Sequence, residues 1–464
     1  MMLSYSWDYR VVDAIQEFCQ QNKHDPQTTR VWICFVCLNQ FRTLRDPVPF
    51  SVFRNIFQQK VQAVEVVLGL LVPWTQPIAL SRAWCAFEFF SALKSDKLAV
   101  IIPQSEWEKF EDSLDSSEGV LGGVSNVLEA TSKICVEHAR ATHPQDKANV
   151  LKMIIGREDN EVALDDNQRP IDLTKQEQQM CTQVNADIID EMKRWYCESA
   201  LVRLEELIAH ADNPEAIPIN RFCAVAWMLA SFNRVPNSCP KARDMLAHAR
   251  EKLGATETLG IAQIRLYEGT ILRKIGASLH DNNQRDEVFA QSLDSFLCSK
   301  RIFQQLDATS SVMYSNLMAG IGLLQSLMNN MDQSLEAFEE MAQALDSCQC
   351  RTEAVIDFVN GYKCWAITYR NMQHYDQAID KFEIAMEVAR AGDQKYNVWY
   401  SDLLLQYACT FAIPERMDSQ RADSLCSQVS YILNRLGLRE GSNQFRILQD
   451  LRRQLEERKP RGDN

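Results

Sequence analysis

The feature that most constrains the fold is a short motif that recurs in the C-terminal half of the chain. The hexapeptides beginning at Gln291, Gln333 and Gln377 read QSLDSF, QSLEAF and QAIDKF. Their spacings of 42 and 44 residues, with weaker copies before and after them, are typical of stacked helical hairpins. The period predicts about six hairpins over residues 180–440. A plain helical bundle is the alternative, and the agreement in phase between copies argues against it.

Composition excludes several classes of function. The chain has 464 residues, which is too long for one ordinary core, and a net charge of -13. That charge argues against binding to nucleic acid or to an anionic membrane surface. No apolar run approaches the roughly 20 residues of a membrane helix, and no secretory signal is visible. The 15 cysteines, an odd number in a long chain, indicate reduced thiols and a cytoplasmic location.

The N-terminal part alternates between apolar runs and helical patterns. Apolar runs that lack a polar face predict strands covered on both sides, at residues 4–7, 31–38, 66–72 and 98–102. Helices are predicted between and after them, at residues 11–18, 50–61, 80–93, 106–114 and 147–155. This order indicates a doubly wound α/β domain with a parallel sheet. Residues 133–139 are predicted to add a last edge strand, residues 121–123 to be a loop, and residues 158–170 to be a solvated linker.

One carboxylate stands out on the helix that follows the third strand. Trp84, Phe87, Glu88 and Ser91 share one face, and the other faces are apolar. Burial of a carboxylate on such a helix costs folding free energy unless the charge is paired with a cation or serves a function. Glu88 is therefore a functional candidate, and the structural alternative is an ion pair with an arginine such as Arg82 or Arg42.

Ligands of such sheets bind in the crevice outside the carboxyl ends of the strands, where polar and aromatic residues are expected to converge. No metal site is predicted. Cys34 and Cys37 have redox-motif spacing, but positions three apart on a strand point to opposite faces.

Two resemblances to known families refine these expectations. The copy at residues 362–385 carries Tyr362, Trp365, Ala366 and Tyr369 at spacings that resemble the tetratricopeptide pattern. The 42 to 44 residue period resembles the longer repeats of the kinesin light chain class. This resemblance implies a superhelix of hairpins with a concave groove that binds a protein or peptide. Because the chain is negatively charged, we expect the bound segment to be basic.

The N-terminal part resembles Toll/interleukin-1 receptor (TIR) domains. The segment SRAWCAFEFF is similar to the TIR segment S-x-x-W-C-x-x-E-L, with Ser81, Trp84, Cys85 and Glu88 in register, and SYSWD is similar to the first-strand motif. The second strand, VWICFVCLNQ, lacks the acidic residue often found at its end. It is closer to the fungal heterokaryon-incompatibility domain, a TIR relative.

The TIR resemblance implies a flavodoxin-like sheet and cleavage of NAD+ at its glycosidic bond, with Glu88 in the catalytic position. NAD+ would be the substrate, and no cofactor is implied. Related enzymes act as assemblies, which implies self-association of this domain. The resemblance suggests substrate contacts from a group of aromatic, hydroxyl and cationic residues. These are Trp7, Arg42, Trp74, Ser81, Arg82 and Trp84.

Two functions from different classes follow. The first is an NAD+ glycohydrolase regulated by a tetratricopeptide arm that acts as a sensor or as an assembly arm. The second is a non-catalytic adaptor that binds proteins through both domains, since fold alone does not give function. The predicted boundaries are a TIR-like domain at 1–155, a linker at 156–180, helical repeats at 181–440 and a charged tail at 441–464.

Overall fold

A computed structural model describes most of the chain, in two compact units. The described residues are 1–5, 15–16, 19, 28, 30–33, 50–115, 119–157, 161–210, 217–231, 238–254, 256–348, 355–392, 397–436 and 443–457. The α/β unit holds the described residues of Met1–Glu111 and Glu129–Met192. The helical unit holds those of Asp112–Leu128, Lys193–Leu436 and Asn443–Asn464. In these described ranges, no helix combines the length and apolar character that a membrane crossing requires.

The α/β unit contains the predicted parallel sheet. Its described strands are β1 (Met2–Ser4), β2 (Trp32–Ile33), β3 (Val67–Leu70) and β4 (Leu98–Ile101). They pair in the order β2-β1-β3-β4, and every pair is parallel. The prediction of parallel strands is confirmed, but the first strand, predicted at residues 4–7, ends at Ser4. Residues 34–38 of the predicted second strand lie outside the described residues.

Helices connect and follow the strands. They are α1 (Phe50–Ala63), α2 (Ala83–Lys94), α3 (Gln104–Leu114), α4 (Gly119–Ser132), α5 (Pro144–Ile155) and α6 (Lys175–His210). The predicted helices at 50–61, 106–114 and 147–155 are confirmed, and each is extended at one end. The helix predicted at 11–18 falls mostly outside the described residues.

Two predictions for residues 119–139 are wrong. Residues 121–123 belong to helix α4 and are not a loop. Residues 133–139 form turns and not a strand, although several are buried. The backbone of Val136 is bonded to side chains instead of a neighbouring strand: its N–H donates to Asn185 Oδ1 at 2.8 Å, and its carbonyl accepts from the fully buried Lys147. Only the next residue, Arg140, bridges to Arg82.

Part of the predicted linker is tied to the helices around it. Arg157, just after α5, pairs with Asp172 at 2.8 Å and with Glu177, on the first turn of α6, at 2.7 Å. Helix α6 therefore begins inside the segment predicted as a linker. Its residues 175–192 belong to the α/β unit and its residues 193–210 to the helical unit.

The helical unit is built from successive hairpins. Its helices are α7 (Ile219–Ser231), α8 (Ser238–Leu253), α9 (Leu259–Ser278), α10 (Asn282–Gln305), α11 (Val312–Leu327), α12 (Met331–Ser347), α13 (Val355–Asn371), α14 (Tyr375–Ala391), α15 (Val398–Phe411), α16 (Ser419–Arg435) and α17 (Asn443–Glu457). The pairs α7/α8, α9/α10, α11/α12, α13/α14 and α15/α16 are in contact. Ala378 and Phe382 are fully buried, as the repeat pattern predicts.

The repeat extends to the backbone of the turns. Asn329 and Gln373, 44 residues apart, both adopt left-handed φ angles, of 64° and 62°, two residues before the second helix of their hairpins. The following N–H groups, of Asn330 and His374, donate to the carbonyls of Gln325 and Tyr369. The same turn therefore closes two hairpins in register, which supports a true structural repeat.

The first helices of the hairpins line one face of the helical unit. Each of α7, α9, α11 and α13 contacts the first helix of the next hairpin. We call this the inner face. The predicted charged tail contains α17, which packs on α15 and α16. It buries four apolar residues, Phe445, Leu448, Leu451 and Leu455.

Ser334→Ala is expected to lower the free energy of unfolding by about 1 kcal/mol, since a net buried hydrogen bond is worth about 0.5–1.5 kcal/mol. The fully buried Ser334 donates from Oγ to the carbonyl of Gly322 at 2.6 Å and so links the two helices of one hairpin. Ser292, at the equivalent repeat position, does the same with Gly269 at 2.7 Å. Urea unfolding measures the loss, and the exposed Ser347, which bonds within its own helix, supplies the control Ser347→Ala. Equal effects of both variants would contradict the prediction.

Candidate functional site

Backbone hydrogen bonds fix the start of helix α2, which carries Glu88. Arg82 is extended and precedes the helix. Arg140 holds the backbone on both sides of it, because its N–H donates to the Ser81 carbonyl at 2.7 Å and its carbonyl accepts from the Ala83 N–H at 2.8 Å. The start of α2 therefore does not depend on a side-chain cap.

The helix is buried on most of its surface, as predicted from its apolar pattern. The buried residues are Ala83, Cys85, Ala86, Phe87, Phe89, Phe90 and Ala92. Phe89 packs against β3 at Gly69, where a Cβ atom would lie 2.2 Å from the ring. The glycine that interrupts the third apolar run is thus the residue that lets α2 approach the sheet.

Two bonds join α2 to the carboxyl end of β1. Cys85 Sγ donates to the carbonyl of Tyr5 at 3.3 Å, and Ser4 Oγ donates to Glu88 Oε2 at 2.5 Å. Cys85 and Glu88 are three residues apart and so lie on one face of the helix. Ser4 is fully buried and is the last residue of β1. Glu88 is thereby held at the end of the first strand.

Burial sets the charge state of this carboxylate. Glu88 is partly buried, and removal of its carboxylate from water raises its pKa from 4.5 to about 7. The hydrogen bond from Ser4 and the positive charge of Arg82 both favour the ionised form, but they offset burial only in part. At neutral pH, Glu88 therefore exists in both protonation states.

The site lies where the strand order reverses. The chain passes from β1 to β2 on one side of β1, whereas β3 lies on its other side and leads through α2 to β4. In open α/β sheets, ligands bind outside the carboxyl ends of the strands at this switch point. The Ser4–Glu88 hydrogen bond places the carboxylate at that position.

The other predicted site residues have different surroundings. Trp74 is buried: its backbone N–H donates to Glu106 Oε2 at 2.8 Å, and its ring meets Phe110 edge to face at 5.2 Å. The exposed Ser81 donates to the carbonyl of Ile78 at 2.6 Å, and Trp84 is partly buried. Trp7 and Arg42 lie outside the described residues. The contacts of all these residues with a substrate stay predictions.

Sequence reasoning missed Ser4 as a member of the site. The residue is 84 positions away from Glu88, so no local pattern joins the two. A signal was nevertheless present, because a serine inside a strand that is otherwise buried needs a hydrogen-bond partner.

The comparisons with known proteins leave the family open. A scan against protein-family models finds no model that matches the chain, and a search of curated proteins finds no match.

Proposed function

We propose that the α/β unit is a TIR-type domain that hydrolyses NAD+ to nicotinamide and ADP-ribose, with Glu88 as its catalytic carboxylate. The observation that carries the proposal is the placement of Glu88. A partly buried carboxylate with a raised pKa is bonded to the end of β1, beside the reversal of strand order. The strand order also agrees with the flavodoxin-like sheet that the resemblance implies.

The chemistry needs only one carboxylate. As the glycosidic bond breaks, its electron pair returns to the ring nitrogen, and nicotinamide leaves as a neutral molecule without a general acid. Ionised Glu88 would stabilise the positive charge that develops on the ribose. Water then adds to the ribose carbon and releases one proton. The weak solvation of Glu88 would make its charge more effective than it is in water.

The helical unit supports the second half of the proposal, a tetratricopeptide-like arm. Its turns repeat at a period of 44 residues, and Phe338 packs closely on Gly322, where a Cβ atom would lie 2.9 Å from the ring. Small residues that let a large side chain of the partner helix approach are what the tetratricopeptide resemblance implies. We propose that this arm governs the α/β unit by binding another protein.

A non-catalytic adaptor is the second candidate function. The hydrogen bond from Ser4 satisfies one oxygen of Glu88 within the protein, and a satisfied buried polar group needs no substrate to explain it. The inner face of the helical unit would then be the main binding surface. The two candidates differ in whether Glu88 acts on a ligand.

NAD+ cleavage by the full chain is expected to be about tenfold faster at pH 8 than at pH 6 when measured as kcat/KM. The pKa of Glu88 is about 7, and only its ionised form supports the reaction, so activity rises through that pKa. Release of nicotinamide is followed by chromatography at high protein concentration with a crowding agent, since assembly is expected to complete the site.

Two results would count against the proposed activity. Absence of nicotinamide release from chains shown by light scattering to be assembled would favour the adaptor. A rate that does not change between pH 6 and pH 8 would remove Glu88 from the reaction. Thermal unfolding at both pH values serves as the control for loss of the fold.

A further inference from the structure

A segment from the N-terminal half of the chain is seated in the helical unit. Residues 112–128 lie between β4 and α5 in sequence, yet they belong to the helical unit. Arg221, on the first helix of the first hairpin, pairs with Asp115 at 2.7 Å and approaches Asp112 at 3.7 Å. The acidic end of the segment is thus held on a first helix of the repeats.

The apolar part of the same segment reaches the inner face. Leu121 is buried in a cluster with Ile356 of α13 and Trp399 of α15, and Trp227 of α7 packs against this cluster. Trp227 and Trp399 meet edge to face at 5.9 Å, so the first and fifth hairpins approach each other around Leu121. Leu121 therefore lies in a cluster to which three first helices contribute, which is the arrangement of a ligand side chain in a groove.

The segment has a weak helical tendency of its own. Helix α4 contains Gly119, Gly122 and Gly123, and each glycine costs about 1 kcal/mol of helix stability relative to alanine. Val120, Val124 and Val127 are buried as well as Leu121, so burial of these side chains provides most of the stability of this helix. A helix with such a weak tendency of its own forms only when its apolar side chains are buried by another part of the protein.

Two lysine side chains lie over the tryptophan rings of the cluster. Lys274 Nζ lies 3.9 Å from the centre of the Trp227 ring, and Lys363 Nζ lies 5.6 Å from that of Trp399. Lys363 is paired with Asp402 at 2.7 Å, and burial lowers the pKa of Lys274 to about 7, so Arg221 is the group that favours an acidic residue in the ligand. This is opposite to the basic partner expected from the net charge, because the local residues and not the total charge decide what a groove binds.

We propose that residues 112–128 are an intramolecular ligand of the inner face, and that a partner helix of the same chemistry displaces them. That partner contributes a helix with a large apolar residue to enter the Trp227–Trp399 cluster, and an acidic residue before this helix to meet Arg221. The intramolecular occupant supplies the evidence for this chemistry, since Asp115 lies before α4 and Leu121 lies on it.

Displacement would act on the rest of the chain through its connections. Residues 111 and 129, next to the two ends of the segment, belong to the α/β unit. A partner that removes the segment from the groove therefore frees the residues that connect this segment to the α/β unit. This device does not depend on the proposed NAD+ activity.

The test uses a fluorescent peptide of residues 110–130 and the full chain. In chains carrying Leu121→Ser or Asp115→Arg, the groove is expected to open, and the peptide to bind at least tenfold more tightly than it binds the wild-type chain, as measured by anisotropy. A peptide with Leu121→Ser should bind the opened chains at least tenfold more weakly. Leu297→Ser, at a position 51% exposed on α10, is the control that should leave the groove closed.

Three outcomes would overturn the proposal. The first is an opened chain that melts like the wild type but binds the peptide no better. The second is equal binding of the Leu121→Ser peptide. The third is unfolding of both the Leu121→Ser and the Asp115→Arg chains, which would show that residues 112–128 are a permanent part of the repeat core. Faster hydrogen exchange of residues 119–128 in the opened chains is the expected supporting result.

Discussion

The Glu88→Gln variant is expected to be more stable than the wild-type protein at pH 8, by about 3 kcal/mol, and nearly as stable as the wild type at pH 4.5. The folded protein raises the pKa of Glu88 from 4.5 to about 7. Below pH 4.5 the carboxyl is protonated in both the folded and the unfolded chain, so burial of a charge costs nothing. Between pH 4.5 and 7 the unfolded chain ionises first, and the folded state loses stability.

The amide removes this cost because it fills the same space without charge and can still accept the hydrogen bond from Ser4. Thermal and urea unfolding at pH 4.5 and pH 8 measure the difference. Glu65→Gln is the control, since Glu65 is an exposed carboxylate of the same unit, and this surface substitution should change stability by less than about 0.5 kcal/mol.

The same substitution is expected to lower NAD+ cleavage by about 10²–10⁴-fold, the range in which single catalytic groups contribute. A more stable but inactive protein is the signature of a carboxylate kept for function at a cost to the fold. If Glu88 were instead the structural partner of an arginine, the variant would lose about 3–5 kcal/mol at pH 8. Destabilisation at pH 8 would therefore contradict the catalytic interpretation, and full activity would refute it.

The sequence predicts α2 and the exceptional position of Glu88 because both follow from a local pattern. An apolar helix must be buried, and one carboxylate on it must be explained. Ser4 could not be chosen in the same way, because the contact depends on how a strand end meets a helix 84 residues later. The structural alternative named Arg82 as a partner, and the structure shows that its charge lowers the pKa of Glu88 less than burial raises it.

The wrong predictions fall where short patterns are ambiguous. The apolar residues of 133–139 are compatible with a strand, but a buried lysine and asparagine bond to the Val136 backbone in place of a neighbouring strand. Gly122 and Gly123 indicate a loop by propensity, but tertiary burial holds them in α4. The contacts of Asp115 and Leu121 with the first helices join distant parts of the chain. Neither the repeats nor their period predicts such contacts.

The repeats are the best predicted part of the fold because each copy confirms the phase of the others. Small and large residues recur at fixed distances, and the helix pairs and turns recur with them. Among the described hairpins, α9/α10 is longer, with 20 and 24 residues in its two helices. The period of the motif does not reveal this length, because it spans the hairpin together with its connection.

Phe382→Ala is expected to lower the free energy of unfolding by about 3–5 kcal/mol, the usual cost of emptying a buried aromatic site. Phe382 is fully buried, and its ring stacks on that of Tyr407 in the next hairpin, with the ring centres 5.2 Å apart. The cavity therefore weakens both a hairpin and its interface with its neighbour. Urea unfolding measures the loss, and Tyr431→Ala, at a position 57% exposed on α16, should cost less than about 0.5 kcal/mol.

The location of the lost stability in the Phe382→Ala variant tests the repeat architecture more sharply than the total loss does. In a stack of hairpins, each unit is stabilised by its own packing and by the interface with its neighbours. Hydrogen exchange in the Phe382→Ala variant should therefore accelerate most in α13 to α16 and least in α9 and α10. Uniform acceleration through the helical unit would show a single cooperative bundle, and a loss below about 1 kcal/mol would show that Phe382 is not a core position of its hairpin.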